Sequence, residues 1–434
     1  MLGAGAALGV LEQAMRAALA SAGARLLETV LAGEDGYHGP HAGCGCGGQA
    51  VYAGRRDKTV TTVLGAVRIT RAWYHCAQCR HGFAPRDQQL GVGAASLSPG
   101  LAEMTALAGA EVSFARAAAL LAGLAGVTLS ARTIERSAEA TGAAARTAAG
   151  AEAAAITARV IVPLPPRAPV PDMLYVEVDG TGVPVRASET AGRAGKGEDG
   201  QAGTREVKLA RLFTVSRLDD EGRPVTDPGS SSYAFTFDGK DALAGLVKAE
   251  YLRRGGEHFR QVVALGDGAA WIWSMAGDLY PHATHIVDIY HAREHLHDLA
   301  NHLAFITPDP PAWLACRLSE LDDGDIEAII GAARAYPLAG IKAEDLDKKI
   351  GYFEHNIHRM RYAHYKKLGM FTGSGHIEAA CKQIVVQRAK QSGMHWSVEG
   401  AADIIALRCQ HASGRWNDFI ARRPAPAAGL RQTI

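Results

Sequence analysis

Residues 261–288 read Gln-Val-Val-Ala-Leu-Gly-Asp-Gly-Ala-Ala-Trp-Ile-Trp-Ser-Met-Ala-Gly-Asp-Leu-Tyr-Pro-His-Ala-Thr-His-Ile-Val-Asp. The apolar run 261–266 has the length and branching of a buried strand, and Gly266 and Gly268 mark a turn. Residues 269–279 carry helical spacing, and 284–288 return to strand chemistry. Strand, helix and strand in that order make a βαβ unit, which implies parallel strands. The chain is therefore expected to contain an α/β domain. Upstream, 173–179 and 206–215 read as further strands. They are separated by a glycine-rich, charged loop, 192–203, that is expected to be mobile.

Three acids fall at the ends of these elements. Asp179 closes Leu-Tyr-Val-Glu-Val-Asp, Asp267 closes Val-Val-Ala-Leu-Gly-Asp, and Glu378 opens a helix after Gly-Ser-Gly-His-Ile. Strand alternation puts Tyr175, Glu177 and Asp179 on one face. Gly180 and Gly182 would let substrate backbone come close, and Gly266 and Gly268 flank Asp267 at a strand-to-helix turn. Phosphodiester hydrolysis needs a very large barrier reduction. Two divalent cations held by carboxylates about 3.5–4 Å apart can supply it, and Mg²⁺ prefers hard oxygen ligands. The pattern predicts a site for two Mg²⁺ (or Mn²⁺) ions on Asp179, Asp267 and Glu378. Glu177 could stand behind that site or form a structural salt bridge.

At 434 residues the chain exceeds one ordinary domain. Its formal charge of +1 is neutral overall, but residues 351–434 hold twelve Lys/Arg against five acids, a local net of +7. That basic end suits contact with phosphates, although a solvated basic surface would look the same. No run of about 18 uncharged apolar residues is present, so no membrane span is expected. Glu12 and Arg16 interrupt the apolar N-terminus and no cleavage site follows, so no signal peptide is read. Seven cysteines, four of them clustered, point to a reducing compartment and a metal.

Residues 4–33 have helical spacing. Cys44-Gly-Cys46 and Cys76-Ala-Gln-Cys79 bracket a hairpin over 50–75, and four thiolates would satisfy one tetrahedral structural Zn²⁺. Cys-x-Cys is the tighter knuckle, and His41, His75 or His81 could replace a thiol. Arg55, Arg56, Lys58, Arg68, Arg71 and Arg80 make this module basic. Ser98-Pro99 starts a helix, and Ser113 and Ser130 are candidate caps for two more. The Gly126–Leu129 turn between them suits a helix-turn-helix or a plain helical hairpin. An Ala-rich helix over 151–172 runs into Leu-Pro-Pro-Arg-Ala-Pro-Val-Pro, a stiff linker.

Several stretches together resemble insertion-sequence transposases of the ISKra type, within the Mutator-like group of DDE transposases. They are Val-Glu-Val-Asp-Gly-Thr-Gly-Val-Pro-Val, Gly-Asp-Gly-Ala-Ala-Trp-Ile-Trp, Val-Asp-Ile-Tyr-His-Ala-Arg-Glu-His-Leu, Gly-Ser-Gly-His-Ile-Glu-Ala-Ala-Cys-Lys and Ser-Gly-Arg-Trp. The resemblance implies an RNase H-like catalytic core with Asp179, Asp267 and Glu378 as its acidic triad. It also implies a D-x-x-H motif at Asp288–His291 and an all-α insertion before Glu378. His395 departs from the pattern, where Arg is expected for phosphate contact. By resemblance the N-terminal zinc and helical modules would recognise terminal inverted repeats, and the protein would work as a homo-oligomer on transposon-end and target DNA. No coiled-coil seam is read from the sequence.

The expected organisation is an N-terminal helical segment over 1–37, a zinc-ribbon-like module over 38–92 and a helix-turn-helix-like domain over 93–158. The RNase H-like core follows over 159–291, then the all-α insertion over 292–365, and the rest of the core with basic helices over 366–434. His291 is expected to act beside the triad, positioning substrate or water or protonating a leaving 3′-oxygen. Aromatics interleave with cations over 351–367, which suits stacking and phosphate contact. DNA contacts are expected at Arg359, Arg361, Lys366, Lys367, Lys382, Arg388 and Lys390. The expected function is metal-dependent strand cleavage and transfer by a cytoplasmic, nucleoid-associated prokaryotic enzyme. The alternatives are an RNase H-like nuclease without strand transfer and a domesticated DNA-binding protein. A third is a zinc hydrolase using His291 and His295, whose Glu294 stands in the wrong place for the common helical motif.

Overall fold

The computed structural model describes residues 7–93, 95–163, 171–195, 202–336 and 340–422. The chain divides into two compact units. The first takes Met1–Ala145, Asp403–Arg408 and Trp416–Ile434, and the second takes Arg146–Ala402 and Cys409–Arg415. One boundary between the units falls at Ala145, within a helix. Most of the proline-rich linker (164–170) and the centre of the glycine-rich loop (196–201) lie outside the described residues.

In the first unit, α1 (Leu8–Leu31) precedes a four-stranded antiparallel meander. Its strands are β1 (His41–Gly43), β2 (Gln49–Thr62), β3 (Gly65–Cys76) and β4 (Gly82–Phe83). Thr62 pairs with Gly65 across a two-residue turn, and the Thr62 hydroxyl accepts from Leu64 N. Gly65 has φ +117°, which only glycine adopts without strain. Ala24 on α1 packs with Val60, Val67, Ile69 and Val92, which fixes that helix to the hairpin.

A short helix α2 (Pro85–Gln89) follows, then α3 (Pro99–Glu111) and α4 (Phe114–Leu120). The expected caps form: Ser98 accepts from Leu101 N, Ser113 from Arg116 N, and Ser130 from Thr133 N. A π-helical turn, Leu121–Ala125, ends at Gly126 in the left-handed conformation. Next comes α5 (Ala131–Thr157), one 27-residue helix in place of the separate helix expected from 151. Buried Arg408 caps α3, donating to Ala110 O at 2.7 Å and to Glu111 at 2.9 Å.

The second unit is built on a six-stranded mixed sheet. Its strands are β5 (Met173–Pro184), β6 (Thr204–Leu218), β7 (Pro224–Thr226), β8 (Ser232–Thr236), β9 (Gln261–Gly266) and β10 (Thr284–Val287). The order is β10-β9-β5-β6-β7, and β8 also pairs with β6. β5, β9 and β10 are mutually parallel, whereas β6 runs antiparallel to β5. The βαβ expectation holds, with α7 (Ala270–Leu279) as the crossover. α6 (Lys240–Arg253) joins β8 to the parallel half.

Alternation along β5 feeds two cores. Leu174, Val176 and Val178 face a cluster with Leu243 and Val247 of α6 and Met275 of α7. Tyr175 faces the other, with Phe213, Leu265 and Ile286. That second core continues into α8 (Ile289–Leu303), α9 (Pro310–Asp323), α10 (Ile326–Arg334), α11 (Ile341–Asn356) and α12 (Tyr362–Lys367). The described residues of 292–365 are therefore mainly helical, with the expected break before Pro310, where Asp309 caps α9. After α12 the described residues form α13 (Gly375–Ala380), a π-helical segment Cys381–Val386, α14 (Gln387–Ala389), α15 (Val398–Ala412) and α16 (Trp416–Arg422), of which Asp403–Arg408 and α16 belong to the first unit. The fold is thus mixed α/β with a mixed sheet and many helices.

Candidate metal centres

Register brings the strand-end acids together. Glu177 of β5 is level with Leu265 of β9, and Val287 of β10 is level with Gly266. Two residues past the first pair stand Asp179 and Asp267, and one past the second stands Asp288. Neighbouring strands lie about 4.8 Å apart. Asp267 and Asp288 follow the C-terminal ends of parallel β9 and β10, whereas Asp179 does not close its strand as expected: β5 runs on to Pro184 against β6, and Asp179 stands within it beside those two ends, where sites of α/β sheets gather.

Each is held by the backbone. Asp179 accepts from Gly180 N at 2.6 Å, and Asp267 accepts from Ala269 N at 2.9 Å. Asp288 caps α8, accepting from Tyr290 N at 2.7 Å through Oδ1. Its other oxygen accepts from Ser374 N at 3.1 Å and from the Ser374 hydroxyl. Ser374 Oγ is also 3.5 Å from Glu378 Oε1. Asp288, fully buried, thus ties the start of α8 to the start of α13. Asp288, His291 and Glu378 form a group whose ligand atoms lie within 4.8 Å of one another and could hold a metal ion. Asp179 and Asp267 are not part of that tight trio. Asp288 was not among the residues expected to act; only its place in the D-x-x-H motif signalled it.

The electrostatics of the centre are those of crowded acids. Burial pushes the Asp179 carboxyl above its ordinary value, and the nearby Asp267 charge adds to this, while Gly180 N–H and His291 oppose it. Burial also raises Glu177, whose Oε1 is 3.6 Å from His376 Nδ1, just beyond hydrogen-bonding reach. A divalent cation would relieve such repulsion. The carboxylate oxygens are donors of the kind Mg²⁺ prefers, and the tight group adds one imidazole nitrogen from His291.

The surroundings close the centre. The Tyr352 hydroxyl of α11 donates to Asp267 O at 3.3 Å, and His295 stacks on Tyr352 with ring centroids 3.6 Å apart. Burial lowers the pKa of His295. That packing places His295 against Tyr352 rather than in a metal pair with His291, so the zinc-hydrolase alternative gains no support. Cys381 opens the π-helical segment, a feature that recurs at functional sites. Burial and the Asp179 charge keep its thiol protonated. Lys390 Nζ donates to Thr181 Oγ1 at 2.6 Å, which holds one cation two residues past Asp179.

The other cations expected to meet DNA separate. Lys366, Lys367 and Lys382 are exposed. Arg361 is paired with Glu327 and donates to Gly324 O at 3.0 Å. Arg359 lies over Trp273, 5.0 Å from the ring centre, and donates to His355 O. Arg388 is buried, 1% exposed, with its guanidinium 4.8 Å from the Trp396 ring centre. A DNA contact at Arg388 is therefore not borne out: helical spacing alone does not reveal that this arginine points into the interior. His395 is exposed.

The second centre lies in the first unit. Cys44 follows β1, Cys46 sits in the next turn, Cys76 ends β3 and Cys79 lies in the turn to β4. All four ligand sulfurs fall within 4.8 Å of one another. Cys44 and Cys79 sulfurs are 3.5 Å apart, and Cys46 and Cys76 sulfurs 3.7 Å. Those separations are too long for disulfides. They suit the edge of a tetrahedron with metal–sulfur distances near 2.3 Å. The backbone N–H groups of Cys79 and Gln78 donate toward the Cys76 sulfur, and the thiol falls to about 7. The site is thus four thiols that could bind a metal, with no histidine in the group. The donor set fits zinc.

No helix of the described residues is long and apolar enough to cross a membrane. No family model matches the chain, and no curated protein matches it either.

Proposed function

We propose that this protein is a DNA transposase of the DDE type, with an RNase H-like catalytic core in the second unit and a zinc-binding module in the first. The observation that carries the reading is the level placement of Asp179 and Asp267 on adjacent parallel strands, with Glu378 brought to the same edge by α13. The sheet is compatible with it: β5, β6 and β8 are antiparallel neighbours, and parallel β9 and β10 lie on the far side of β5, which makes an α/β core. The helical stretch between β10 and α13 stands where such transposases carry an insertion.

Asp179, Asp267 and Glu378 would hold two Mg²⁺ ions, and those ions would supply activation of the attacking oxygen and stabilisation of the leaving one. His291, in the first turn of α8, would deliver a proton to a leaving 3′-oxygen. Lys390, fixed on Thr181, would hold a phosphate against the strand edge. Exposed Lys366, Lys367 and Lys382 would follow the backbone of the DNA. The cysteine module, bearing Arg55, Arg56 and Arg80, would contact the transposon ends. The reading belongs to a prokaryotic cytoplasm, on the nucleoid.

The test is cleavage of labelled duplex carrying the inverted repeats that flank the gene. The expected result is Mg²⁺-dependent nicking and joining to target DNA. Asp179→Ala, Asp267→Ala and Glu378→Ala would each remove activity while retaining end binding. Cleavage without joined products from pre-cut ends would instead favour a nuclease, and full activity in all three variants would overturn the assignment.

A further inference from the structure

Tyr290 is an exposed aromatic ring at the rim of the acidic centre. It stands between Asp288 and His291 in the first turn of α8. Asp288, Ile289 and Ala292 are buried, whereas Tyr290 is 57% exposed. A single exposed apolar residue is ordinary on a protein surface. What sets this one apart is its place and how firmly it is held.

Its backbone is fixed, because Asp288 Oδ1 accepts from Tyr290 N at 2.7 Å. Its ring leans on Gly373, the residue before Ser374: a Cβ added there would stand 2.7 Å from Cε2 and 3.2 Å from Cδ2. Gly373 has no left-handed φ, so it is the ring, and not the backbone angle, that leaves no room for a larger residue. Arg293, one turn along the helix, lies with its guanidinium carbon 5.9 Å from the ring centre. Both Asp322 oxygens hold that arginine, at 2.7 and 2.9 Å. A ring held in this way loses little freedom when a ligand covers it.

We infer that Tyr290 is a stacking platform for one nucleobase, carried by a nucleotide next to the phosphodiester under attack. The inference rests on the proposed function and adds to it a residue that meets the base rather than the phosphate. Charge narrows the ligand. Asp288 and Glu378 belong to the group beside the ring, and exposed Glu294 is four residues along on the same helix face. That negative rim disfavours an anionic partner at the ring, a second phosphate included. A nucleobase is neutral and planar, and every base has a face that stacks on an aromatic ring. Placement agrees. The ligand atoms of Asp288, His291 and Glu378 lie within 4.8 Å of one another, so a phosphate drawn to an ion there brings its neighbouring base to the rim that Tyr290 forms.

The test is a protein-by-DNA cycle on the full chain. Wild type and Tyr290→Leu are each assayed for Mg²⁺-dependent cutting of the end duplex, intact or with a single abasic site at each nucleotide within about four of the cut. Leucine keeps apolar bulk against Gly373 but offers no π-face. Tyr290→Leu is expected to lower kcat/KM on intact DNA about 5- to 100-fold, and Tyr290→Phe to recover to within about threefold of wild type. The melting temperature and the Mn²⁺ affinity read by electron paramagnetic resonance should not change, because the ring is exposed and ligates no ion. At one nucleotide, removing the base should cost the wild type the same factor and cost Tyr290→Leu nothing further. Costs that multiply at every position, or equal cutting by wild type and Tyr290→Leu, would overturn the inference and leave the proposed function standing. No cutting by the wild type would overturn both.

Discussion

Asp179→Asn should separate the cost of the acidic centre from its use. Asp179 lies beside Asp267, and burial together with that neighbour disfavours its ionised form. In the absence of divalent ions the neutral amide removes repulsion, so the variant should melt no lower than the wild type. A group whose folded pKa is raised gives stability that is complete below its unfolded value, near 3.9, and is lost as pH rises through the folded value. At pH 7 the ion-free wild type therefore carries an uncompensated charge, and Mg²⁺ should relieve it. At about 100 times its dissociation constant, a ligand that binds the folded state alone contributes about 2.7 kcal/mol. For a unit of this size that corresponds to a rise in melting temperature of roughly 5–10 °C. The assay is differential scanning calorimetry of wild type and variant, each titrated with MgCl₂ at constant ionic strength. The wild type should show the rise, while the variant should lose most of it. An equal Mg²⁺ response in both proteins, or an ion-free variant several degrees less stable than wild type, would refute the reasoning.

Three further outcomes follow from particular contacts. Ser374→Ala removes one of the donors to the buried Asp288 carboxylate and should cost about 1.5–3 kcal/mol in urea unfolding, with cleavage falling alongside as α13 loosens. Cys76→Ser should lower zinc content by mass spectrometry from about one ion per chain to near zero and expose the β2–β3 hairpin to protease. Burial alone would raise the Glu250 carboxyl, but Arg415 and Arg253 pull it below the ordinary value. Its stability is therefore present above about pH 4.3 and is lost as pH falls through the folded value. Glu250→Gln should flatten that acid limb and cost about 1.5–3 kcal/mol at pH 7, because the buried carboxylate loses its charge toward half-buried Arg415 and Arg253, the latter keeping Glu152 as a partner.

The parallel half of the sheet was legible because its strands hold apolar runs with an acid at or after their end, most plainly at 261–268, although β5 runs on past Asp179 to Pro184. The caps at Ser98, Ser113 and Ser130 were legible because capping is local. β7, β8 and α6 were not foreseen. Ser232–Thr236 is short and part polar, and α6 starts after Gly239 with no side-chain cap to announce it. The aspartate and glutamate positions were visible as strand and helix ends, whereas the Asp288–Ser374 tie joins residues far apart in the chain and depends on tertiary packing. Arg388 shows the same limit from the other side. Its sequence neighbours suit a basic surface, and only the position of Trp396 reveals that it is interior. On α1 the spacing of Leu and Ala was plain, but which face remained bare depended on where β3 packed.

The central claim is that Asp179, Asp267 and Glu378 share bound divalent cations. Anomalous diffraction from crystals soaked in Mn²⁺ measures this directly. The account predicts peaks between Asp179 and Asp267 and beside Glu378, about 2.0–2.2 Å from their carboxylate oxygens, that vanish in Asp179→Asn crystals. Manganese bound only elsewhere, with these carboxylates unligated at saturating ion, would contradict it.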